Sequence, residues 1–234
     1  MSLLTVVQDV CAVVGVDVPT SVFSNISANR TMQEMVALAN EMALRIAFDT
    51  REWRQLKEIG AYVADGVTTT FALPPNFRRF LVTSNIYSTV RPTQPMRYVP
   101  DTDEWLRRRL ANETNANGEF TLLGSNILFY PAPPAGFIEY VFMQKYIILP
   151  DGGGLAERFT ADGDTYRLDE RLLKLGMIWQ WKAQKGSPYA EDMGTYGDAL
   201  QMAMGADRPA PIIVGRTPIS ANARIAYPWP VPTP

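Results

Sequence analysis

Paired carboxylates are the residues of this sequence whose types and spacing come closest to acid–base chemistry. Glu157 and Asp162 form one such pair, and Asp103 and Glu104 form another. Two carboxyl groups flanking a glycosidic bond would act as acid and base in a hydrolase. Both pairs lie in turn-rich sequence, where Asp and Glu commonly serve helix starts, and we therefore favour capping over catalysis.

The sequence lacks the other residues on which most active sites depend. None of its 234 residues is His, the usual general acid and base near neutral pH and the commonest transition-metal ligand. Gly152-Gly153-Gly154 lacks the downstream Lys-Ser/Thr of a phosphate-binding loop, and the acids around Asp151 and Asp164 lack the ligand spacing of a calcium loop. We expect no catalytic residue, no cofactor and no metal, with a cell-wall hydrolase as an alternative.

Charge and composition narrow the remaining classes of function. Lys and Arg number 22 and Asp and Glu 24, and this net charge of -2 disfavours duplex DNA binding as the main task. Arg107-Arg108-Arg109 is the one dense basic run, which could face DNA in a channel or form a solvated or interface surface. The lone Cys11 excludes an internal disulfide and fits folding in a reducing cytoplasm, and no apolar run predicts a membrane span.

Residues 1–54 are predicted to form the first two helices of a packed core. Apolar residues at helical spacing predict an amphipathic helix over 2–14. Thr31 and Glu34 have the spacing of a capping box, which predicts that a second helix begins there and runs to 48–53.

Residues 55–150 change to the alternating pattern of a β-rich insertion. Asp65-Gly66 predicts the turn of one hairpin and Gly124-Ser125-Asn126 that of a second, while 101–110 predicts a short helix carrying Trp105. The predicted strands cover residues 59–63, 67–73, 80–88, 119–124, 126–130 and 137–149.

Residues 151–207 are predicted to return to the helical core after a mobile loop. A helix from about Leu168 and another from Ser187-Pro188, with Ser as its cap, predict a helical hairpin. Trp179 and Trp181 project to different sides of the first helix. One indole can therefore fill the core while the other reaches a neighbouring subunit or helix.

Residues 208–234 differ sharply in composition from the rest of the chain. They hold seven of the 18 prolines and three arginines but no acid. Such a segment cannot form a helix or a central strand, and it predicts an extended arm that would reach on the order of 80 Å. The arm is too apolar for a solvating tail, so we expect a neighbouring protein to order it. The residues expected to make that contact are Arg208, Ile212, Ile213, Val214, Arg216, Ile225, Tyr227 and Trp229.

These patterns together predict an α+β fold. About four main helices would form its core, interrupted by the β-rich insertion and followed by the extended Pro-rich C-terminal arm.

Five stretches of the sequence carry motifs in a shared order. They are Leu3-Leu4-Thr5-Val6-Val7-Gln8-Asp9-Val10-Cys11 with Gly15, Leu38-Ala39-Asn40-Glu41 with Trp53, Leu73-Pro74-Pro75-Asn76-Phe77-Arg78-Arg79-Phe80, Leu128-Phe129-Tyr130-Pro131-Ala132-Pro133-Pro134-Ala135-Gly136, and Asp169-Glu170 with Leu172-Leu173, Trp179-x-Trp181 and Lys185-Gly186. Over roughly residues 2–205 they resemble the head-to-tail adaptor family of tailed bacteriophages, also called tail accessory factors or head-completion proteins.

The resemblance implies a structural protein and not an enzyme. A ring, typically of about twelve copies, would dock under the portal after DNA packaging, extend the DNA channel without specific DNA binding, and present a surface to the next neck or tail protein. The resemblance also implies assembly in the host cytoplasm and a place at the head–tail junction of the virion.

The same resemblance implies that residues 208–234 engage the portal. The length and Pro content of this arm depart from the family pattern, so an adjacent copy or a tail protein are alternative targets. A stopper or tail-tube ring of the same neck and a nucleic-acid-binding module are further alternatives that the sequence leaves open. Trp179, Trp181 and Arg107 to Arg109 are the residues we expect at contacts between subunits or in the lumen.

Overall fold

The structure, a computed structural model, describes residues 2–24, 26, 29–82, 84–113 and 115–207. The α-helices in these ranges are α1 (Leu3–Val14), α2 (Arg30–Leu44), α3 (Thr102–Leu110), α4 (Glu170–Gln184) and α5 (Ala190–Asp207). A π-helical segment, Arg45–Asp49, continues α2, and a short 3-10 helix, Arg54–Leu56, follows it. The strands are β1 (Lys57–Ala64), β2 (Thr70–Ala72), β3 (Phe77–Phe80), β4 (Ile86–Ser88), β5 (Arg91–Tyr98), β6 (Glu119–Leu123), β7 (Asn126–Tyr130), β8 (Gly136–Gln144), β9 (Ile148–Leu149) and β10 (Thr165–Tyr166). The predicted arm, 208–234, lies outside the described residues.

A mixed α+β fold is confirmed for the described part of the chain. Its buried apolar residues form two clusters. The helical core surrounds Leu38, Leu173 and Met177 and is built from α1, α2, α4 and one face of α5. The insertion core surrounds Ile127 and Ile138 and is built from the sheet that lies between α2 and α4 in chain order. The exact domain boundaries stay a prediction.

The predicted first helix is confirmed as α1, and its ends follow from its sequence. The Ser2 side chain accepts a hydrogen bond from the Thr5 N–H and caps the first turn. Gly15 ends the helix at φ 74°, a left-handed conformation that favours glycine. Val7 and Cys11, in the middle of its apolar stripe, are fully buried in the helical core.

The second helix, α2, begins before its predicted capping box. The side chain of Asn29 accepts a hydrogen bond from the Met32 N–H at 3.3 Å, so Asn29 is the cap and Thr31 lies inside the helix. The prediction of a Thr31 cap is therefore wrong. Asn29 reaches the free N–H groups of the first turn from just outside the helix, whereas Glu34 accepts a hydrogen bond from Lys185 on the neighbouring hairpin at 2.6 Å. That hydrogen bond lowers the pKa of Glu34.

The sheet joins strands that are distant in sequence. Its order is β1-β8-β4-β5-β6-β7-β2, and β3 also pairs with β8. Because β1 pairs with β8 and β2 pairs with β7, the hairpin predicted around Asp65-Gly66 is wrong. The tight turn itself is present, since Asp65 accepts hydrogen bonds from the N–H groups of Val67 and Thr68. The two strands leave this turn towards different partners.

Other predicted strands are confirmed with changed bounds. β6 and β7 form the predicted hairpin around Gly124-Ser125. The segment 80–88 contains the end of β3 and a separate β4, and 137–149 divides into β8 and β9. β5 and β10 were not predicted from the sequence.

Two tyrosines connect β1 and β2, the strands at the two ends of the sheet order. Tyr140 on β8 donates a hydrogen bond to the Tyr62 hydroxyl at 2.9 Å, and Tyr62 donates to the Ala72 carbonyl on β2 at 2.7 Å. Gly60 on β1 lies so near the Tyr140 ring that an added Cβ would overlap it. Burial raises the pKa of the Tyr140 hydroxyl.

The predicted helical hairpin is confirmed as α4 and α5, but α5 begins later than predicted. The backbone N–H of Ser187 donates to the Lys182 carbonyl, next to Gly186 at φ 70°. Ser187 therefore closes the end of α4 in a Schellman-type arrangement and does not cap α5, which starts at Ala190. The predicted helix start at Ser187-Pro188 is wrong because the backbone of Ser187 takes part in the ending of the preceding helix.

The segment between β9 and β10 is held by a buried carboxylate. Asp164, which is fully buried, accepts hydrogen bonds from the N–H groups of Thr160 at 2.6 Å, Ala161 at 2.9 Å and Asp151 at 3.2 Å. Burial raises the pKa of Asp164, but these N–H groups lower it by more, so the pKa lies below its ordinary value. The Asp164 carbonyl also accepts the Leu3 N–H at 2.8 Å. The backbone at Asp151, Thr160 and Ala161 is thus held to Asp164, and the mobility of the loop stays a prediction.

A second buried acid fastens α3 to the sheet. Glu119 on β6 is 1% exposed, and Arg108 donates to its Oε1 at 3.0 Å. Arg108 also pairs with Glu104 one turn earlier. The adjacent Arg107 pairs with Glu113, and at least half of each of these two side chains is exposed. The fold therefore depends on Arg108 more than on Arg107.

Replacing Asp164 by Asn is expected to lower the free energy of unfolding at pH 7 by about 2–3 kcal/mol, because an amide cannot accept all of these N–H groups. Urea unfolding followed by circular dichroism measures this. A carboxyl whose pKa is lowered by folding stabilises the protein above its unfolded pKa of about 4 and stops doing so as the pH falls through the folded value. The difference between wild type and D164N should therefore shrink from pH 5 to pH 3.

Asp17, whose side chain is exposed, supplies the control for this prediction. D17N should change the free energy of unfolding by no more than about 0.5 kcal/mol. A D164N protein as stable as D17N at pH 7 would show that the Asp164 carboxylate does not hold the segment.

Arg108→Ala is expected to cost about 2–3 kcal/mol, because it leaves the buried Glu119 carboxylate without its nearest cation. Arg107→Ala removes an exposed ion pair and should cost at most about 1 kcal/mol. Thermal and urea unfolding of the two variants, measured side by side, test the difference. Equal losses for the two variants would contradict it.

Candidate functional site

One face of the sheet carries exposed apolar side chains and is the clearest unpaired surface of the insertion. Ile59 and Val63 on β1 are 69% and 71% exposed, and Phe137 on β8 is 53% exposed. The register sets Val63 opposite Phe137, and Glu139 lies opposite both Ala61 on β1 and Tyr87 on β4. We call this surface the outer sheet face; its members are Ile59, Ala61, Val63, Tyr87, Phe137 and Glu139.

Alternation in the sequence builds this face, but no function was predicted for it. Ile59, Ala61 and Val63 recur at every second position, which predicts a strand. Alternation does not say which side of the strand is buried. The structure turns Gly60 and Ala64 to the insertion core, so the more apolar side of β1 faces outwards. An exposed apolar face of this kind commonly marks a contact with another protein.

The three arginines of the basic run are engaged within the chain. Arg107 makes two hydrogen bonds to Glu113, at 2.9 and 3.2 Å, and Arg108 bonds Glu104 and the buried Glu119. The guanidinium of Arg109 lies 5.6 Å from the centre of the Trp105 ring. Acid partners therefore offset much of the positive charge of this run, and its role at a subunit contact or in a lumen stays a prediction.

The two tryptophans of α4 divide as their spacing predicted. Trp181 is 6% exposed in the helical core, with the Lys185 ammonium 4.6 Å from its ring. Trp179 is half-buried and packs against α5, its ring centre 6.5 Å from that of Tyr189 and 6.2 Å from that of Tyr196. Trp179 thus reaches a neighbouring helix of the same chain, and a contact with another subunit stays a prediction for both residues.

The point at which the arm leaves the helical core is fixed. Asp207, the last residue of α5, pairs with Arg51 at 3.2 Å and accepts a hydrogen bond from the Arg54 N–H at 3.4 Å. Both carboxylate and guanidinium are largely buried. The arm residues from Arg208 to Trp229 that were predicted to contact a partner lie outside the described residues.

The carboxylates considered for catalysis have structural partners instead. Glu157 pairs with Lys145 at 2.7 Å and caps no described helix. Asp162 accepts the N–H groups of Val22 and Phe23 and fixes that loop to the helical core.

The second carboxylate pair supports a helix start. Asp103 and Glu104 lie in the first turn of α3, where the helix dipole favours acids, behind the N-cap Asp101. Within the described ranges no group of three or more His, Cys, Asp or Glu side chains could hold a metal ion. None of the described helices is both long and apolar enough to cross a membrane.

The comparison with known proteins agrees with the order of motifs in the sequence. No curated protein sequence matches the chain. The family model described as SU10 adaptor protein matches residues 1–216, which include the helical core, the insertion and the start of the arm. Such adaptors are structural proteins of the phage neck. The predicted resemblance is thereby confirmed: the chain belongs to the SU10 adaptor protein family, a family of phage head–tail adaptors.

Proposed function

We propose that this adaptor forms a ring, of about twelve copies, that docks on the portal, extends the DNA channel and attaches the next neck or tail protein. The observation that carries the proposal is the family match over residues 1–216, which takes in every described element and continues into the arm. The match supports a structural adaptor, and the surfaces of the fold support its assembly into a ring.

A closed ring requires two unlike faces on each copy, because its contacts are heterologous. The outer sheet face is apolar around a single acid, Glu139, and it is rigid because β8 behind it is paired on both sides. The helical side of the molecule presents charged pairs instead, such as Lys174 with Asp9 and Lys182 with Asp192. We assign the outer sheet face to contact with the adjacent copy, which a ring supplies at every position.

The arm, 208–234, supplies the second kind of contact. Its start is anchored through Asp207 to Arg51, so its path away from the helical core is set at one end. An extended segment can bury apolar side chains on the portal without a core of its own. Repeated around a ring, individually weak arms add up to stable attachment through avidity.

Passage of DNA through the ring requires weak interaction with the channel wall. The chain has a net charge of -2, and Arg107 and Arg108 are paired with acids. A near-neutral wall lets DNA slide, whereas an unpaired basic wall would hold its phosphates. A position of Arg107 to Arg109 in the lumen is thus consistent with the structure only if they form a surface of paired charges that binds DNA weakly.

Val63→Asp is expected to leave the fold intact and to block ring assembly. Val63 is 71% exposed, so the free energy of unfolding should change by no more than about 0.5 kcal/mol. A buried, unpaired charge at each contact should abolish rings on purified portals as seen by electron microscopy. Leu123→Asp, at the exposed turn between β6 and β7 and outside the outer sheet face, is the matched control. Rings formed equally well by both variants would contradict this assignment.

Deletion of residues 208–234 is expected to leave a folded monomer that no longer docks on the portal. Every described helix and strand lies within residues 2–207, so the deletion removes none of them. Circular dichroism and sedimentation measure the fold and the monomer; co-sedimentation with purified portal and rescue of adaptor-deficient particles measure docking. Normal particles completed by the truncated protein would show that the arm is not the portal contact.

A further inference from the structure

A groove of about 380 Å³ opens between β3 and the neighbouring strands β5 and β6. Its walls are aromatic: the ring centres of Tyr98 and Phe120 are 5.2 Å apart, and those of Phe77 and Phe80 are also 5.2 Å apart. Phe80 and Phe120 connect the two pairs at 6.0 Å. The Tyr98 side of the groove is accessible, with 48% of that residue exposed. We call it the aromatic groove.

An aromatic groove of this kind suits a polyproline ligand. A polyproline II segment is extended before it binds, and its proline rings stack on aromatic faces with little loss of conformational freedom. Of the residues that line the groove, Leu81 packs against the helical core, and none belongs to the outer sheet face.

The chain itself contains a segment with the required chemistry. Residues 227–234 read Tyr-Pro-Trp-Pro-Val-Pro-Thr-Pro, with proline at every second position and one indole in the middle. They carry no charged side chain, and Arg78 and Arg79, which also line the groove, already contact Phe48 and Glu52, respectively. The family match ends at residue 216, so this segment lies beyond the part of the chain that the family pattern covers.

The groove lies close to the place where the arm begins. Asp207 is bound to Arg51, and the next residue, Glu52, accepts hydrogen bonds from Arg79 at 2.8 Å and from the Val82 N–H at 3.0 Å. Arg79 and Val82 are both part of the groove wall. The contacts of the adjacent residues Arg51 and Glu52 therefore connect the start of the arm to the edge of the groove.

The connecting chain is long enough to reach. Residues 208–226 would span about 60 Å if extended and roughly 25 Å on average if flexible. A tether of this length keeps its end at an effective concentration on the order of millimolar around the groove. Even a groove that binds polyproline weakly is therefore occupied by the segment of its own chain.

We propose that residues 227–234 lie in the aromatic groove of their own chain in the unassembled adaptor. The segment is held there by Trp229 and its flanking prolines against the exposed Tyr98 and the half-buried Phe80. The arm is thereby stowed on the insertion before the protein meets other virion components.

Disulfide trapping in the full-length protein tests the proposal. Val82 is 86% exposed at the groove edge, so the groove variant, Val82→Cys with Val231→Cys, keeps all four aromatic walls. The matched control variant, Val63→Cys with Val231→Cys, places an exposed thiol on the outer sheet face instead. Burial raises the pKa of the native Cys11 thiol, which keeps it out of the reaction. The cross-link within one chain is expected to form about tenfold faster in the groove variant than in the control variant.

Non-reducing electrophoresis and mass spectrometry of linked peptides identify the product. Adding Trp229→Ala and Pro230→Ala to the groove variant should reduce its rate to that of the control variant, since these substitutions remove the ligand without touching the fold. Equal rates in the groove and control variants, a rate unaffected by the Trp229 and Pro230 substitutions, or products linked between chains at low protein concentration would each overturn the proposal. Because no portal is present in this experiment, its failure would leave the ring and portal contacts as they stand.

Discussion

The strand β8 belongs to both hydrophobic cores, and this constraint determines how the adaptor presents its surfaces. Ile138, Tyr140 and Phe142 fill the insertion core, whereas the next residue, Met143, is buried in the helical core. A strand fixed at both ends and paired along its length cannot rotate. The side chains on its other face, Phe137 among them, are therefore held outwards even though they are apolar. The outer sheet face follows from packing on the reverse side of the same strand.

Acidic residues hold much of the rest of the fold in place. Their spacing suggested catalysis only at the level of the sequence, because in the structure they have stabilising roles. A buried carboxylate is costly unless N–H groups or cations surround it. Asp164 gathers three backbone N–H groups, and Glu119 has Arg108, so each acid fixes a segment that has few apolar residues of its own. Without His, these acids have no neighbouring base or acid to exchange protons with near neutral pH. The same residue types thus stabilise loops and helix ends.

The sequence predicted the elements that depend on the spacing of nearby residues. It failed for elements whose pairing or capping partners are distant in the chain. Helices α1, α3, α4 and α5 follow from their periodicity, but Asn29 and the end of α4 displaced two predicted caps. The Asp65-Gly66 turn is present without its hairpin, because β8 and β7 compete for its strands from more than fifty residues away. β5 escaped prediction because most of its residues are exposed and two are proline. Local signals likewise identified the arm by composition and the tryptophans by spacing, but could not show which side of β1 is buried.

The arm has two proposed states, one in the aromatic groove of its own chain and one docked on the portal. Its release from the groove therefore depends on several copies acting together. Within one molecule, a tether at millimolar effective concentration holds even a weakly bound segment in place, so a single portal site gains little from competing for it. Once several copies share a ring, each docked arm raises the local concentration of the others at the portal, and avidity favours the docked state for all of them together. A groove of modest affinity is therefore better suited to this adaptor than a tight one. It would keep apolar residues such as Trp229 from nonspecific contacts in the free protein and still yield them at the completed ring.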